Sequence, residues 1–472
     1  MKKSLILILF LLTAGRLCAQ NFAGDWSGTL QLPGDHQLAV IFHIRNTGSG
    51  YTATMDSPDQ GASGLKVDTV KVSGDRIILE AGQFKLKYSG TLVADSNLVR
   101  GNFTQGTASL PLTLSNHPDA NAAAKKAALR PQDPVSFPYR QEEVSFPNKK
   151  AGIRLAGTLT LPQNGKARKI VILVSGSGPQ NRDEEVKQFN HRPFLVWSDF
   201  LTRNGIAVLR YDDRGVAGST GEFGAATSAD FADDAAAALD YIASRPDLKD
   251  IPAGVIGHSE GGMIAPMLAS GDQRIKFIVL LAGPGIPIDE LLMKQSADQL
   301  RLNEAPAATI TRTLASNRAI YQFMKAHPQL PEAQLKQRLD TLMRDELRRY
   351  PAADLQGQSP ETIARRTIAQ VTTPWFRYFI TFKPANHLSK VKCPVLALNG
   401  SLDMQVNAEA NLAGIRMSLQ KAGNKHFRTI ALPGLNHLFQ QAATGSTSEY
   451  AQIAETVNPA ALKAVTEWIS SL

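Results

Sequence analysis

At 472 residues the chain is too long for one ordinary domain, and it has the length to bury a large core. Hydrophobic residues at 43% and charged residues at 20% are the proportions of a soluble globular protein. The formal net charge is +9, but the basic residues are scattered and not gathered in a stripe, which excludes a nucleic-acid footprint.

Residues 1–20, M-K-K-S-L-I-L-I-L-F-L-L-T-A-G-R-L-C-A-Q, join a basic start to an apolar core and a small-residue end. That is the pattern of a secretory signal peptide, cleaved after Ala19 or Gln20, and it implies a secreted or periplasmic protein. The apolar run from Leu5 to Leu12 falls well short of the roughly 20 residues a membrane span needs, so the mature chain is expected to have no transmembrane segment. A lipid anchor through Cys18 is disfavoured by the bulky Leu17, where such signals want a small residue. Cleavage would leave Cys393 as the sole cysteine, with no intramolecular disulfide and no thiolate metal site.

Residues 21–116 alternate polar and apolar in short runs, such as L-A-V-I-F-H-I-R and F-K-L-K-Y-S-G-T-L, broken by Gly, Asp, Ser and Asn turns. This predicts a small antiparallel all-β barrel or sandwich. His36 and His43 fall here without a metal-like partner pattern and are expected to be plain surface or barrel residues. Residues 117–140, rich in Ala, Pro and charge, lack an apolar period and read as a linker.

From residue 141 to 472 the pattern changes to continuous apolar runs: Ile170 to Val174, Ile206 to Leu209, Val255 to Ile256, Phe277 to Ala282, Val395 to Leu398 and Thr429 to Leu432. Continuous runs belong to strands covered on both faces, hence an α/β domain with a mostly parallel sheet between helices. From about 284 to 388 the alternation stops and helical patterns fill the interval. The stripe Leu335, Leu339, Leu342 and Leu347 gives one such helix an apolar side. This insertion is expected over the C-terminal edge of the sheet, the edge where open α/β sheets bind ligands.

The run I-P-A-G-V-I-G-H-S-E-G-G-M, from Ile251 to Met263, combines a short strand, a G-x-S-x-G turn and a helix start. A serine forced into a strained turn needs neighbours without side chains, which Gly257 and Gly261 supply. The turn presents the Ser259 hydroxyl and sets the Glu260 amide at a helix N-terminus, where it can donate to an oxyanion. A serine hydroxyl needs a base, and the base an orienting acid. Asp403, in N-G-S-L-D-M-Q-V, and His437, in P-G-L-N-H-L-F, each follow a predicted strand in the order this fold requires. His258, beside the nucleophile, is expected only to pack or to hydrogen-bond, and the Glu260 side chain to face solvent at the mouth.

The elbow G-H-S-E-G, the stretch G-S-L-D-M-Q-V from Gly400 to Val406 and the loop N-H-L-F at Asn436 to Phe439 resemble the triad-bearing positions of the α/β-hydrolase superfamily, in its secreted bacterial serine esterase group. Y-D-D-R-G-V-A-G-S, from Tyr211 to Ser219, resembles the structural turn after that fold's fourth strand, with Ala217 a departure. The resemblance covers about residues 141–472. It implies an α/β-hydrolase fold with a helical lid, and a second oxyanion donor in S-G-S-G-P-Q-N-R-D after the strand Ile170 to Val174. By position that donor is the Ser177 amide, with Gly178 the alternative; relatives commonly have His-Gly where this chain has Ser175-Gly176. A phosphate-cradling reading of the loop fails for want of the P-loop lysine.

In T-P-W-F-R-Y-F-I-T-F of the lid, Trp375, Phe376 and Tyr378 are candidate walls of a substrate pocket. The expected activity is that of a serine carboxylic-ester hydrolase on a small-molecule ester, working through an acyl-enzyme. A serine peptidase or aminopeptidase of the same fold is the alternative, and a non-catalytic binding protein the third reading. With no H-E-x-x-H, no clustered acidic ligands and no dinucleotide fingerprint, neither a metal nor an organic cofactor is implied.

Overall fold

The structure, a computed structural model, describes residues 22–472 except 32–36, 49, 58–61, 94–95, 107, 117–129, 164–166 and 356–357. The signal-peptide segment, His36 and most of the expected linker lie outside the described residues. The chain divides into two compact units, Met1–Ala128 and Leu129–Leu472.

The first unit is one antiparallel sheet of strands β1 (Gly24–Gln31), β2 (Gln37–Asn46), β3 (Tyr51–Ser57), β4 (Ala62–Val67), β5 (Thr69–Ser73), β6 (Arg76–Ala81), β7 (Leu86–Leu92), β8 (Leu98–Gln105) and β9 (Ala108–Ser115). The strand order is β4-β3-β2-β1-β9-β8-β7-β6-β5, and its ends approach each other, β3 near β5 and β4 near β6, so the sheet curls into a nearly closed barrel. Period-2 alternation sends Ile77, Leu79 and Ala81 of β6 inward, where they meet Trp26, Phe42 and Tyr88. The buried Tyr88 hydroxyl donates to the carbonyls of Val99 and Leu112, so its burial leaves no unpaired donor.

The second unit begins with the antiparallel pair β10 (Arg140–Asn148) and β11 (Ile153–Leu161). It continues through β12 (Lys169–Val174), β13 (Ile206–Tyr211), β14 (Ala253–His258), β15 (Ile275–Leu281), β16 (Val395–Gly400) and β17 (Phe427–Leu432). The order is β10-β11-β13-β12-β14-β15-β16-β17, parallel from β13 onward. Along β12, Ile170, Ile172 and Val174 enter the core on one face while Val171 and Leu173 enter the core on the other. Both faces being covered, no polar residue interrupts the run. Helices α1 (Pro193–Arg203) and α11 (Pro459–Ser471) close one face; α2 (Ser228–Ser244), α3 (Glu260–Ala269) and α10 (Ala408–Lys421) close the other. This is the α/β-hydrolase arrangement.

Between β15 and β16 stand α4 (Ile288–Leu302), α5 (Ala307–Ala326), α6 (Glu332–Leu347), α7 (Pro360–Val371), α8 (Pro374–Phe379) and α9 (Ala385–Leu388). They carry their own core, in which Leu335, Leu339, Met343 and Leu347 of α6 pack with Ala364 and Ile368 of α7. Met343 takes the buried place in the stripe, and Leu342 is only partly covered.

The end of the expected linker is not loose. The Arg130 guanidinium is buried and donates to the carbonyls of Phe189, Ile453 and Glu455, and Gln132 bonds the backbone of Thr456 and Val457. Residues from about 130 therefore belong to the second unit. Among the described residues, no helix is long and apolar enough to cross a membrane.

Candidate active site

Strand β14 ends at His258 and α3 starts at Glu260, so Ser259 must turn the chain alone, at φ 52° and ψ −114°. Such a conformation costs a non-glycine residue about 1–3 kcal/mol. It is held by hydrogen bonds from the Ser259 amide to Leu281 (2.8 Å) and from the Gly262 amide to Ser259 (2.9 Å). A Cβ on Gly257 would lie 1.9 Å from the Gly261 carbonyl oxygen, and one on Gly261 2.1 Å from that of Val174. Neither position admits a side chain without moving backbone.

Asp403 follows β16, and its Oδ1 accepts the amides of Gln405 and Val406, each at 2.8 Å. Its Oδ2 is thereby aimed at Nδ1 of His437, 2.8 Å away, in the loop after β17. Asn436 shapes that loop by accepting the amides of Leu438 and Gln440. Asp403 and His437 are both buried, while Ser259 and His437 line the same cavity of about 410 Å³.

Ser177 also lines this cavity, whereas Gly178 does not. The Gly176 amide is engaged by Glu184 Oε1 at 2.7 Å. Among the described residues, the amides of Ser177 and Glu260 donate to no protein acceptor.

The Glu260 side chain overturns its expected solvent-facing place. It is 2% exposed and accepts from Ser228 Oγ (2.5 Å), Ser177 Oγ (2.7 Å) and Trp375 Nε1 (2.9 Å). Burial lifts its pKa above the ordinary carboxyl value against the pull of those three donors. One carboxylate thus joins the elbow to the loop after β12, the start of α2 and the lid helix α8. The physical reason is the set of donors those segments converge on it, which makes burial tolerable.

His258 is hydrogen-bonded, as expected: Nδ1 lies 2.9 Å from Glu184 Oε1 and Nε2 3.2 Å from the His437 carbonyl. Sequence reasoning missed Glu184, which sits at φ 51° in the loop after β12, just beyond the segment Ser175 to Asp183. It also missed Asp213, whose carboxyl burial pushes up to about 8 although the Gln180 amide and Ser175 hydroxyl bond it. The Tyr211 to Ser219 turn was the available signal for Asp213; Ala217 within it takes φ 46°, where glycine is more at ease.

The lid contributes Trp375 and Phe379 to the cavity wall, their rings stacked at 4.7 Å, beside Leu291 and Leu292. Phe376 packs near Tyr321 in the lid's own core and Tyr378 near Phe382, and neither lines the cavity.

A family model described as Hydrolase_4, serine aminopeptidase, S33, matches residues 165–441. The esterase EstD of Thermotoga maritima is 22% identical over 352 residues, which cover 73% of this chain and 72% of that protein. Among solved structures, an esterase of Pyrococcus furiosus is similar at a TM-score of 0.42 and 15% identity, over 71% of this chain and 92% of the other. Est1E of Butyrivibrio proteoclasticus, solved with ferulic acid bound, is similar at 0.40 and 18% identity, over 70% and 98%.

Proposed function

The chain belongs to the Hydrolase_4 family, serine aminopeptidase, S33, and on that premise we propose that it is a serine carboxylic-ester hydrolase with Ser259, His437 and Asp403 as its triad. The observation that carries the reading is the buried 2.8 Å contact of His437 Nδ1 with Asp403 Oδ2, beside a cavity shared with a strained Ser259. Ser259 attacks the ester carbonyl as His437 takes its proton; the amides of Glu260 and Ser177 receive the oxyanion. His437 then protonates the leaving alcohol, and water, deprotonated by the same imidazole, releases the acid and restores the serine.

The cavity wall favours an ester over an aminoacyl peptide. Its carboxylates are Glu184 and Glu260, the first bonded to His258 and Gly176, the second to Ser177, Ser228 and Trp375. Glu260 has both oxygens engaged and Glu184 is committed to Gly176 and His258 through Oε1, while Trp375, Phe379, Leu291 and Leu292 suit an apolar acyl group. Parallel assays on a nitrophenyl ester and an aminoacyl nitroanilide test this; faster hydrolysis of the anilide would favour the peptidase reading.

The domain reading follows the same line: every proposed catalytic group lies in 129–472 and none in the β barrel, 22–116. Residues 1–20 support export, giving a secreted or periplasmic enzyme, and a mature N-terminus at Gln20 or Asn21 is the expected outcome of sequencing.

A further inference from the structure

We propose that His258 is held as an imidazolium in a buried ion pair with Glu184, and that this pair positions the base His437 and the oxyanion loop; the positioning role rests on the triad reading above. The direction of the hydrogen bonds carries the assignment. The His437 carbonyl oxygen can only accept, so Nε2 of His258, 3.2 Å away, bears a proton. Glu184 Oε1 accepts the Gly176 amide at 2.7 Å and lies 2.9 Å from Nδ1 of His258, and with Glu184 ionised, as the pair requires, Nδ1 donates to it as well. Two donating ring nitrogens make a cation.

The surroundings fit that charge. His258 and Glu184 are 7% and 5% exposed, and a charge so buried is tolerated only when paired and hydrogen-bonded. Burial opposes protonation of His258, but the charge and hydrogen bond of Glu184, the His437 carbonyl and the field of Asp403 outweigh it and raise its pKa. The other titratable groups here are His437, whose ring is 5.0 Å from that of His258, and His191, which burial pushes down to about 4 and so keeps neutral. Asp213, with its pKa near 8, adds no full competing charge near Glu184 at neutral pH.

The pair spans three segments: Gly176 of the oxyanion loop, His258 of the elbow and the backbone of His437. It fixes where the base and the oxyanion amide stand relative to Ser259 without touching the reacting atoms. Misplacement of such groups by fractions of an ångström lowers turnover more than binding.

The test has two arms. Nitrogen-15 histidine NMR of the wild-type chain should show protons on both ring nitrogens of His258 at pH 7; a single ring proton would overturn the ion pair. Glu184→Gln should remove the second proton at pH 7 and, like His258→Gln, lower kcat on a nitrophenyl ester by about 10- to 100-fold with KM within about threefold. Unchanged kcat in folded variants would overturn the positioning role. If a variant fails to fold, the wild-type ring-proton count still decides the pairing. Absence of ester turnover in the wild type would remove the esterase reading and the positioning role together, while the NMR arm, which needs no substrate, tests the pair by itself.

Discussion

The β barrel fills its interior with Trp26, Phe42, Tyr88 and aliphatic side chains, and among its described residues it buries no charged side chain. The second unit instead buries Glu184, Asp213, His258, Glu260, Asp403 and His437 where its strands end and the lid begins. Burying a charge costs several kcal/mol unless partners offset it, and in the second unit those partners come from loops far apart in the chain. A fold that only had to be stable would be built like the first unit. Titratable groups held against that cost are what the proposed proton transfers would need.

The largest expected effect breaks the second unit's chemistry while leaving both cores alone. Ser259→Ala should lower ester turnover by about 10⁴- to 10⁶-fold with circular dichroism unchanged, because a triad of the proposed kind acts as a unit and only binding and oxyanion effects survive its loss. Retention of a tenth of the activity would take the nucleophile elsewhere. Asp403→Asn should follow, with a loss of up to about 10⁴-fold in kcat, since an amide in place of Oδ2 favours the wrong tautomer of His437. Near-wild-type turnover would send the search to another buried carboxyl, Glu184 first.

Trp375→Phe keeps the ring in the cavity wall and removes the donor to Glu260. It should cost about 10-fold in kcat/KM, the scale of a lost hydrogen bond to a buried carboxyl. An unchanged value, read in the same ester assay, would mean that the lid does not act through Glu260.

Much of this was legible beforehand, and the parts that were not share a cause. The strands could be read because burial on both faces leaves an unbroken apolar run, as in Ile170 to Val174, and the elbow because Gly257 and Gly261 answer a local steric demand. The pairing of Asp403 with His437, which are in contact at 2.8 Å, was expected from their order after strands. Glu184 is 74 positions from His258 and Trp375 115 from Glu260, so no local pattern announces either pairing. A glutamate at the first position of a helix looks solvent-facing until tertiary structure brings Ser177, Ser228 and Trp375 to it. Arg130 was hidden in the same way, among alanines and prolines with carbonyl partners 323 and 325 residues away.

That hidden anchor sharpens the division between units. A fragment starting at residue 129 should keep turnover on a small ester within about threefold, since every proposed catalytic group lies in 129–472. A fragment starting at 138 lacks Arg130 and Gln132; at about 1 kcal/mol per lost hydrogen bond, its melting temperature should fall by several degrees. Equal stability of the two fragments would return residues 130–137 to the linker.

The smallest effect concerns His43, which has a carboxylate on each side. His43 lies 2.9 Å from Asp25 Oδ1 through Nδ1 and 3.0 Å from Asp56 Oδ2 through Nε2. Partial burial opposes its charge, but the hydrogen bonds of Asp56 and Asp25 outweigh burial and raise its pKa. Its contribution to stability is therefore complete below about pH 6.5, the unfolded value, and is lost as pH rises through the raised folded value. Burial likewise works against the Asp25 charge, yet the hydrogen bonds of His43 and Arg45 lower its pKa, so its contribution is present above about pH 4 and lost as pH falls through the lowered value. The cluster thus stabilises most between about pH 4 and 6.5. The pairs are partly solvent-exposed, so the difference in melting temperature between wild type and His43→Gln should be only about 2 °C at pH 6. It should shrink toward zero by pH 9. A difference that holds constant from pH 6 to 9 would mean that His43 acts by packing, as the rest of its barrel does, and that buried or clamped titratable groups separate the two units less sharply than their interiors.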